Sequence, residues 1–154
     1  MSYFVKNLQK IILLALFILT PNISLAKTHQ IKMLNSYNKE NMIFNPGFIK
    51  VNPGDEISFI PVDFGHNSRS VFVPKGAKNW KGDNDKKITI TLNHEGIYVY
   101  ECSNHSVMSM VGIIQVGDPH NLDEARNFIK NYKKKLVFNK QRLDEYFSKI
   151  SPDI

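Results

Sequence analysis

A single cysteine, Cys102, is all the thiol that this chain of 154 residues carries. One thiol cannot build a disulfide framework, nor a metal centre that needs two thiolates from the same copy. Internal repeats and low-complexity runs are also missing, so nothing points to a solenoid or a linker-rich protein. Long apolar runs are scarce. The one candidate, Ile11 to Leu19, is too short to span a bilayer comfortably and is followed by the polar Thr20-Pro-Asn22. With Lys6 and Lys10 ahead of it and the small residues of Ser24-Leu-Ala26 behind, it reads as a signal peptide over residues 1–26, cleaved after Ala26. No cysteine stands near that cleavage point, which argues against a lipid anchor.

A strong basic stripe is missing as well. The formal net charge is +6, from 20 Lys and Arg against 14 Asp and Glu. Without Lys6 and Lys10 the exported chain keeps 18 basic and 14 acidic residues, a net of +4. Residues 27–118 hold 10 and 9 of these, and residues 119–154 hold 8 and 5. The excess sits in the tail while the larger part is close to neutral, so the basic isoelectric point does not indicate a nucleic-acid partner.

What is present is a series of short strand-like runs divided by Gly and Pro turns. Residues 29–34 alternate, residues 35–41 read as a loop, and residues 42–51 are apolar around Pro46-Gly47. Asn52-Pro-Gly-Asp55 is a turn in which Pro presets one central dihedral and Gly accepts a positive φ at the other. Further runs cover residues 56–60, 87–92, 97–102 and 111–116, with a loop-rich stretch over residues 71–87. The pattern predicts an all-β sandwich. Past Asp118-Pro119 the apolar period lengthens: Leu122, Ala125, Phe128 and Ile129, then Leu143, Tyr146, Phe147 and Ile150, predict two amphipathic helices.

The chemistry gathers in Cys102-Ser-Asn-His105-Ser-Val-Met108-Ser-Met110, directly after the strand-like Ile97-Tyr-Val-Tyr-Glu101. An odd thiol in an exported protein is a liability unless it is buried, paired between chains or bound to metal. Here an imidazole and two thioethers follow it within one loop, and a second imidazole, His66, ends the run Phe59-Ile-Pro-Val-Asp-Phe-Gly65. Two imidazoles, a thiolate and a weak thioether suit copper and form the donor pattern of blue-copper electron-transfer sites. Either thioether is available, Met108 at C-x2-H-x2-M spacing or Met110 at C-x2-H-x4-M spacing. His29, His94 and His120 have no sulfur or carboxylate at telling spacing and read as surface or strand-end residues.

These features resemble the cupredoxins, and among them the pseudoazurins. The resemblance rests on Asn52-Pro-Gly-Asp55, Phe59-Ile-Pro-Val-Asp63, Gly65-His66-Asn67, the loop from Cys102 to Met110, and Val116-Gly-Asp118 followed by Asn121-Leu-Asp123. It implies a Greek-key cupredoxin β-sandwich over residues 27–118, with two C-terminal helices in residues 119–154 packed upon it. It implies one type 1 copper held by His66, Cys102, His105 and Met110, with Met108 left to the apolar surface near His105. Asn67 would tie the two ligand loops together, and Met42 would lie near the second histidine. The implied role is a monomeric periplasmic electron carrier, not an enzyme, serving redox proteins such as a copper nitrite reductase or a cytochrome. A periplasmic copper storage or delivery protein is the alternative, distinguished by a lack of intense blue colour.

Three positions depart from the family. Asn104 stands where pseudoazurins usually have Pro between the Cys and His ligands, which is expected to admit water near His105. Glu101 and Phe64 replace lysines just before the Cys and just before the Gly-His pair. A basic docking face is therefore in doubt, with Lys75, Lys78 and Lys81 as its possible substitutes.

Overall fold

The computed structural model describes residues 25–151, so the predicted signal peptide falls, but for its last two residues, outside the described residues. Eight strands form two four-stranded sheets. The first has the order β2 (Glu40–Asn45), β1 (Thr28–Tyr37), β4 (Glu56–Pro61), β6 (Ile88–Thr91), and the second β3 (Phe48–Val51), β8 (Val111–Val116), β7 (Gly96–Glu101), β5 (Arg69–Phe72). The chain passes between sheets at Pro46-Gly47, and the pairs β1/β4 and β3/β8 run parallel among otherwise antiparallel neighbours. This is the expected Greek-key sandwich. Two helices follow it, α1 (Leu122–Tyr132) and α2 (Arg142–Phe147). Among the described residues no helix is long and apolar enough to cross a membrane.

Two details differ from the sequence reading. The expected loop over residues 35–41 is a tight hairpin, with β1 running to Tyr37 and only Asn38 and Lys39 between the strands, both at positive φ (47° and 68°). Two consecutive positive dihedrals are what a twisted two-residue hairpin demands. The segment after Asn67 also supplies β5, too short and too polar to announce itself, and a bulge between Ser70 and Phe72 disturbs its pairing with β7.

The core has two layers, and β7 belongs to both. Side chains alternate across a strand. Tyr98, Tyr100 and Cys102 accordingly face the sandwich interior with Phe44, Phe59, Trp80, Met110 and Ile114, while Ile97 and Val99 face the helices with Val111, Ile113, Ile129, Tyr132 and Leu143. Coverage on both faces explains the uninterrupted apolar run of the sequence. It also puts Cys102 on the inner parity and Glu101 on the helix side. The helical layer is fastened by polar ties. Asn121 accepts from Ile97 N–H at 2.7 Å and donates to Ile97 C=O at 3.1 Å, docking the start of α1 on β7. Arg142, buried at the start of α2, donates to the carbonyls of Asn41, Met42 and Ser109.

Candidate metal centre

The site lies where β7 ends and the loop after β4 comes back across the sandwich. β4 gives way at Pro61 to Val62-Asp63-Phe64-Gly65, and His66 enters the interior with no exposed surface. Gly65 takes φ 90°, a conformation costly for any residue with a Cβ, and so turns the chain inward. Asp85 holds this turn from outside by accepting from the N–H groups of Gly65 (2.6 Å) and His66 (3.2 Å). The Nε2 of His66 pairs with Asn35 Oδ1 at 3.0 Å. An amide oxygen only accepts, so Nε2 carries the proton and Nδ1 keeps its lone pair. Burial lowers the pKa of His66, the neighbouring His105 lowers it further, and Asp63 and Asp85 only partly oppose this. The ring is therefore held neutral, as a ligand must be.

The second loop is folded on its own backbone. Cys102 N–H donates to Met110 C=O at 2.9 Å, and His105 N–H to Cys102 C=O at 3.2 Å. The N–H groups of Met108 and Met110 both reach His105 C=O, and a 3-10 turn, Ser106–Met108, ends at Ser109 with φ 62°. Cys102 and Met110 are fully buried; His105 and Met108 are half-buried. The Sγ of Cys102 lies 4.0 Å from His66 Nδ1 and 3.6 Å from His105 Nδ1, and the three donor atoms are within 4.8 Å of one another. The imidazole rings meet edge to face at 5.0 Å. A buried thiol and two imidazole nitrogens gathered this closely, with no carboxylate among them and a buried methionine in the same core cluster as the thiol, fit a soft or borderline metal such as copper.

Three asparagines tie the two loops. Ser103 N–H donates to Asn67 Oδ1 at 2.9 Å, the link expected of Asn67. Asn104 donates to Gly65 C=O at 2.8 Å and to Asn84 Oδ1 at 3.1 Å. Asn84 also accepts from Asn67 Nδ2 at 2.6 Å and so joins both. Asn35, Asn84 and Asp85 had no signal in the sequence, because all three reach the site through space, Asn35 from β1 and the other two from the segment before β6. Met42 packs beside the core cluster that holds Cys102 and Met110. His94 and His120 are exposed, as expected, but His29 does have a carboxylate, with its Nε2 2.9 Å from Asp55 Oδ2.

The match to known proteins follows this geometry. Residues 31–117 match the family model for copper binding proteins of the plastocyanin/azurin family. The pseudoazurin of Paracoccus pantotrophus is 39% identical over 104 residues, 66% of this chain and 72% of the relative. That of Methylorubrum extorquens is 33% identical over 139 residues, 89% of this chain and 91% of the relative. The chain belongs to the pseudoazurin family. The crystal structure of native pseudoazurin from Hyphomicrobium denitrificans superposes with a TM-score of 0.72 at 38% identity, covering 80% of this chain and 98% of that one. Copper is thus the cofactor, and the fold is a cupredoxin sandwich with two C-terminal helices.

Against that family the unusual positions are resolved one by one. Phe64 is 87% exposed beside the Gly65-His66 pair. Glu101 is buried. Arg69 Nε donates to its Oε1 at 2.6 Å, Arg69 Nη2 contacts the same oxygen, and Tyr132 donates to Oε2. Glu101 is consequently a helix-side residue and places no negative charge on the outer face. Lys78 lines a cavity with His94 and Tyr98, at the start of β7. The strand's rise of about 3.4 Å per residue sets that end about 20 Å from Cys102.

Proposed function

We propose that His66, Cys102 and His105 hold one copper ion through two Nδ1 atoms and the Sγ, with Met110 as the weak fourth donor, and that the protein carries single electrons between periplasmic redox proteins. The observation that carries this reading is the convergence of a buried thiol, a buried imidazole and a half-buried imidazole from two loops locked together by Asn67, Asn84 and Asn104. Bound copper supplies a one-electron couple. The chain supplies a cage that stays put: hydrogen bonds to Asn35, to the ligand-loop backbone and between the loops orient the donors before any electron arrives. Little has to be rearranged when charge changes.

His105 is the exit. It is the only ligand of the proposed set that is not fully buried. Around it the exposed apolar side chains Phe64, Val107, Val137 and Phe138 form a face that sheds water readily on docking, and Val137 and Phe138 are held there because their N–H groups donate to Val107 C=O. The donor set is filled from within the chain and leaves no open position for a substrate, in keeping with a carrier rather than a catalyst. A copper nitrite reductase or a cytochrome is the kind of partner proposed, in the compartment reached after cleavage at Ala26. The test is a copper titration of the metal-free protein followed by mass and visible absorption. One copper per chain with intense blue colour in the oxidised form supports the reading. Binding of several ions, or a pale product, contradicts it.

A further inference from the structure

A cavity of about 500 Å³ opens beside the ligand loop, between the β5 edge, the 3-10 turn and α1. Val71, Val107, Phe128 and Leu136 wall it, Glu101 and Tyr132 lie inside, and Arg69 and Lys135 stand at its mouth. Its size is within the range of pockets that enclose small organic ligands. Both oxygens of Glu101 are engaged: one takes Arg69, and the other takes Tyr132. The charged groups that remain are donors. Arg69 spends Nε and Nη2 on Glu101, and among the described residues its Nη1 has no partner. The ammonium of Lys135 lies 6.0 Å above the Tyr132 ring and has no carboxylate partner among the described residues. Two cations against one carboxylate leave the cavity one positive charge in excess.

We propose that this cavity binds a small organic monocarboxylate, its head group received by Arg69 Nη1 and Lys135 and its aliphatic or aromatic body held between Val71, Val107, Phe128 and Leu136. A carboxylate accepts only, matches the two unspent donors, and cancels the excess charge. A neutral amide of the same shape leaves the excess positive charge uncancelled and forms no charge-assisted bond with Arg69 or Lys135. The ligand would stand next to the electron exit, because Val107 both walls the cavity and belongs to the apolar face around His105. The proposal does not depend on which residues hold the copper.

The test is a nitrogen–proton NMR titration of the copper-loaded, reduced protein with phenylacetate, and with phenylacetamide as the neutral match. Phenylacetate is expected to give saturable shifts at the amides of Val71, Val107, Phe128, Tyr132 and Leu136, and phenylacetamide to bind about tenfold more weakly or not at all, as for loss of a charge-assisted pair. Lys135→Gln, a surface change that leaves the Glu101 pair intact, should weaken phenylacetate about three- to tenfold. Arg69→Lys, which keeps a charge for Glu101 but loses the planar fork, should do the same. Equal binding of acid and amide, shifts elsewhere, or indifference to both substitutions overturns the proposal. A carboxylate on a docked protein offers the same chemistry, so the titration is repeated with an acetylated, amidated Phe-Glu dipeptide. Tighter binding of the dipeptide than of phenylacetate would assign the cavity to a partner's side chain and overturn the small-molecule reading.

Discussion

Met108 and Met110 stand two residues apart, and the backbone treats them differently. Met110 N–H is bonded to His105 C=O and Met110 C=O to Cys102 N–H, so its fully buried side chain starts from a point fixed against two of the proposed ligands. Met108 sits in the 3-10 turn, half-exposed on the outer side. Replacing Met110 by Leu should therefore raise the reduction potential, because loss of an axial donor disfavours Cu(II), whereas Met108→Leu should leave the spectrum nearly unchanged. Voltammetry and visible spectra of the two variants check this, and a larger spectral change in the Met108 variant would contradict it. The proposed ligands could be picked out in the sequence because three of the four fall in one loop and the fourth, His66, sits in a Gly-His-Asn turn. Their supports could not. Asn35 in β1 and Asn84 and Asp85 before β6 are distant along the chain, and nothing in their own neighbourhoods marks them. Asn104 was visible as a departure, but the bonds its side-chain amide makes to Gly65 C=O and to Asn84 were not.

At the scale of elements, the Asn52-Pro-Gly-Asp55 turn does more than reverse the chain. Gly54 takes φ 90°, as the turn type requires, and the Asp55 carboxylate accepts from Lys27 N–H at 2.9 Å, from Asn52 N–H at 3.1 Å and from His29 at 2.9 Å. It thereby fixes the start of β1 beside β4. Burial pushes the Asp55 carboxyl up, but the hydrogen bonds from Lys27, His29 and Asn52 and the charge of His29 outweigh it, and the net pKa lies below the usual 3.8. A carboxylate depressed in the folded state contributes stability that is complete above its unfolded pKa and is lost as pH falls through the folded value. Urea unfolding should show the native protein losing this contribution below about pH 4. Asp55→Asn should be less stable at pH 7 by about 1–3 kcal/mol, the scale of hydrogen bonds to a charged group, with a flatter acid limb. Equal stability of both at pH 7 would contradict the account. The turn was readable from Pro and Gly alone, and so were the helices from their period. The hairpin at Asn38-Lys39 was not, because neither residue is a glycine and positive φ leaves no other trace. The burial of Glu101 was missed for a related reason: strand parity gives the face, but only the packed helix shows that Tyr132 and Arg69 meet it there.

For the whole molecule, charge and its placement set how partners arrive. Two of the three lysines considered as a replacement docking face stand away from the metal end. Lys78 lines the cavity at the start of β7, and Gly76, next to Lys75, lies against His94 at that same far end. Lys81 is the exception: it bridges Arg69 at the β5 edge, and Arg69 is the register partner of Glu101 beside Cys102. The face around His105 is instead apolar, led by Phe64 and Val107. Second-order electron transfer with a copper nitrite reductase or a cytochrome should accordingly fall only moderately, by less than about tenfold, between 10 mM salt, where the Debye length is about 30 Å, and 1 M, where it is about 3 Å. Neutralising Lys75 and Lys78 should change the rate little. A steep fall reproduced by those substitutions would contradict this distribution of charge. The near-neutral balance of residues 27–118 was countable in the sequence, but which lysines share an end of the sandwich required the fold.

The central claim is that the Sγ of Cys102 is the donor around which the copper site is built. It is tested most directly by the visible spectrum of the oxidised, copper-loaded Cys102→Ser variant beside that of the native protein, at matched copper content. The charge-transfer colour of a blue copper site arises from its thiolate, so the native protein should be intensely blue and the variant colourless or pale. A variant that keeps an unchanged blue band would show that the metal is held elsewhere.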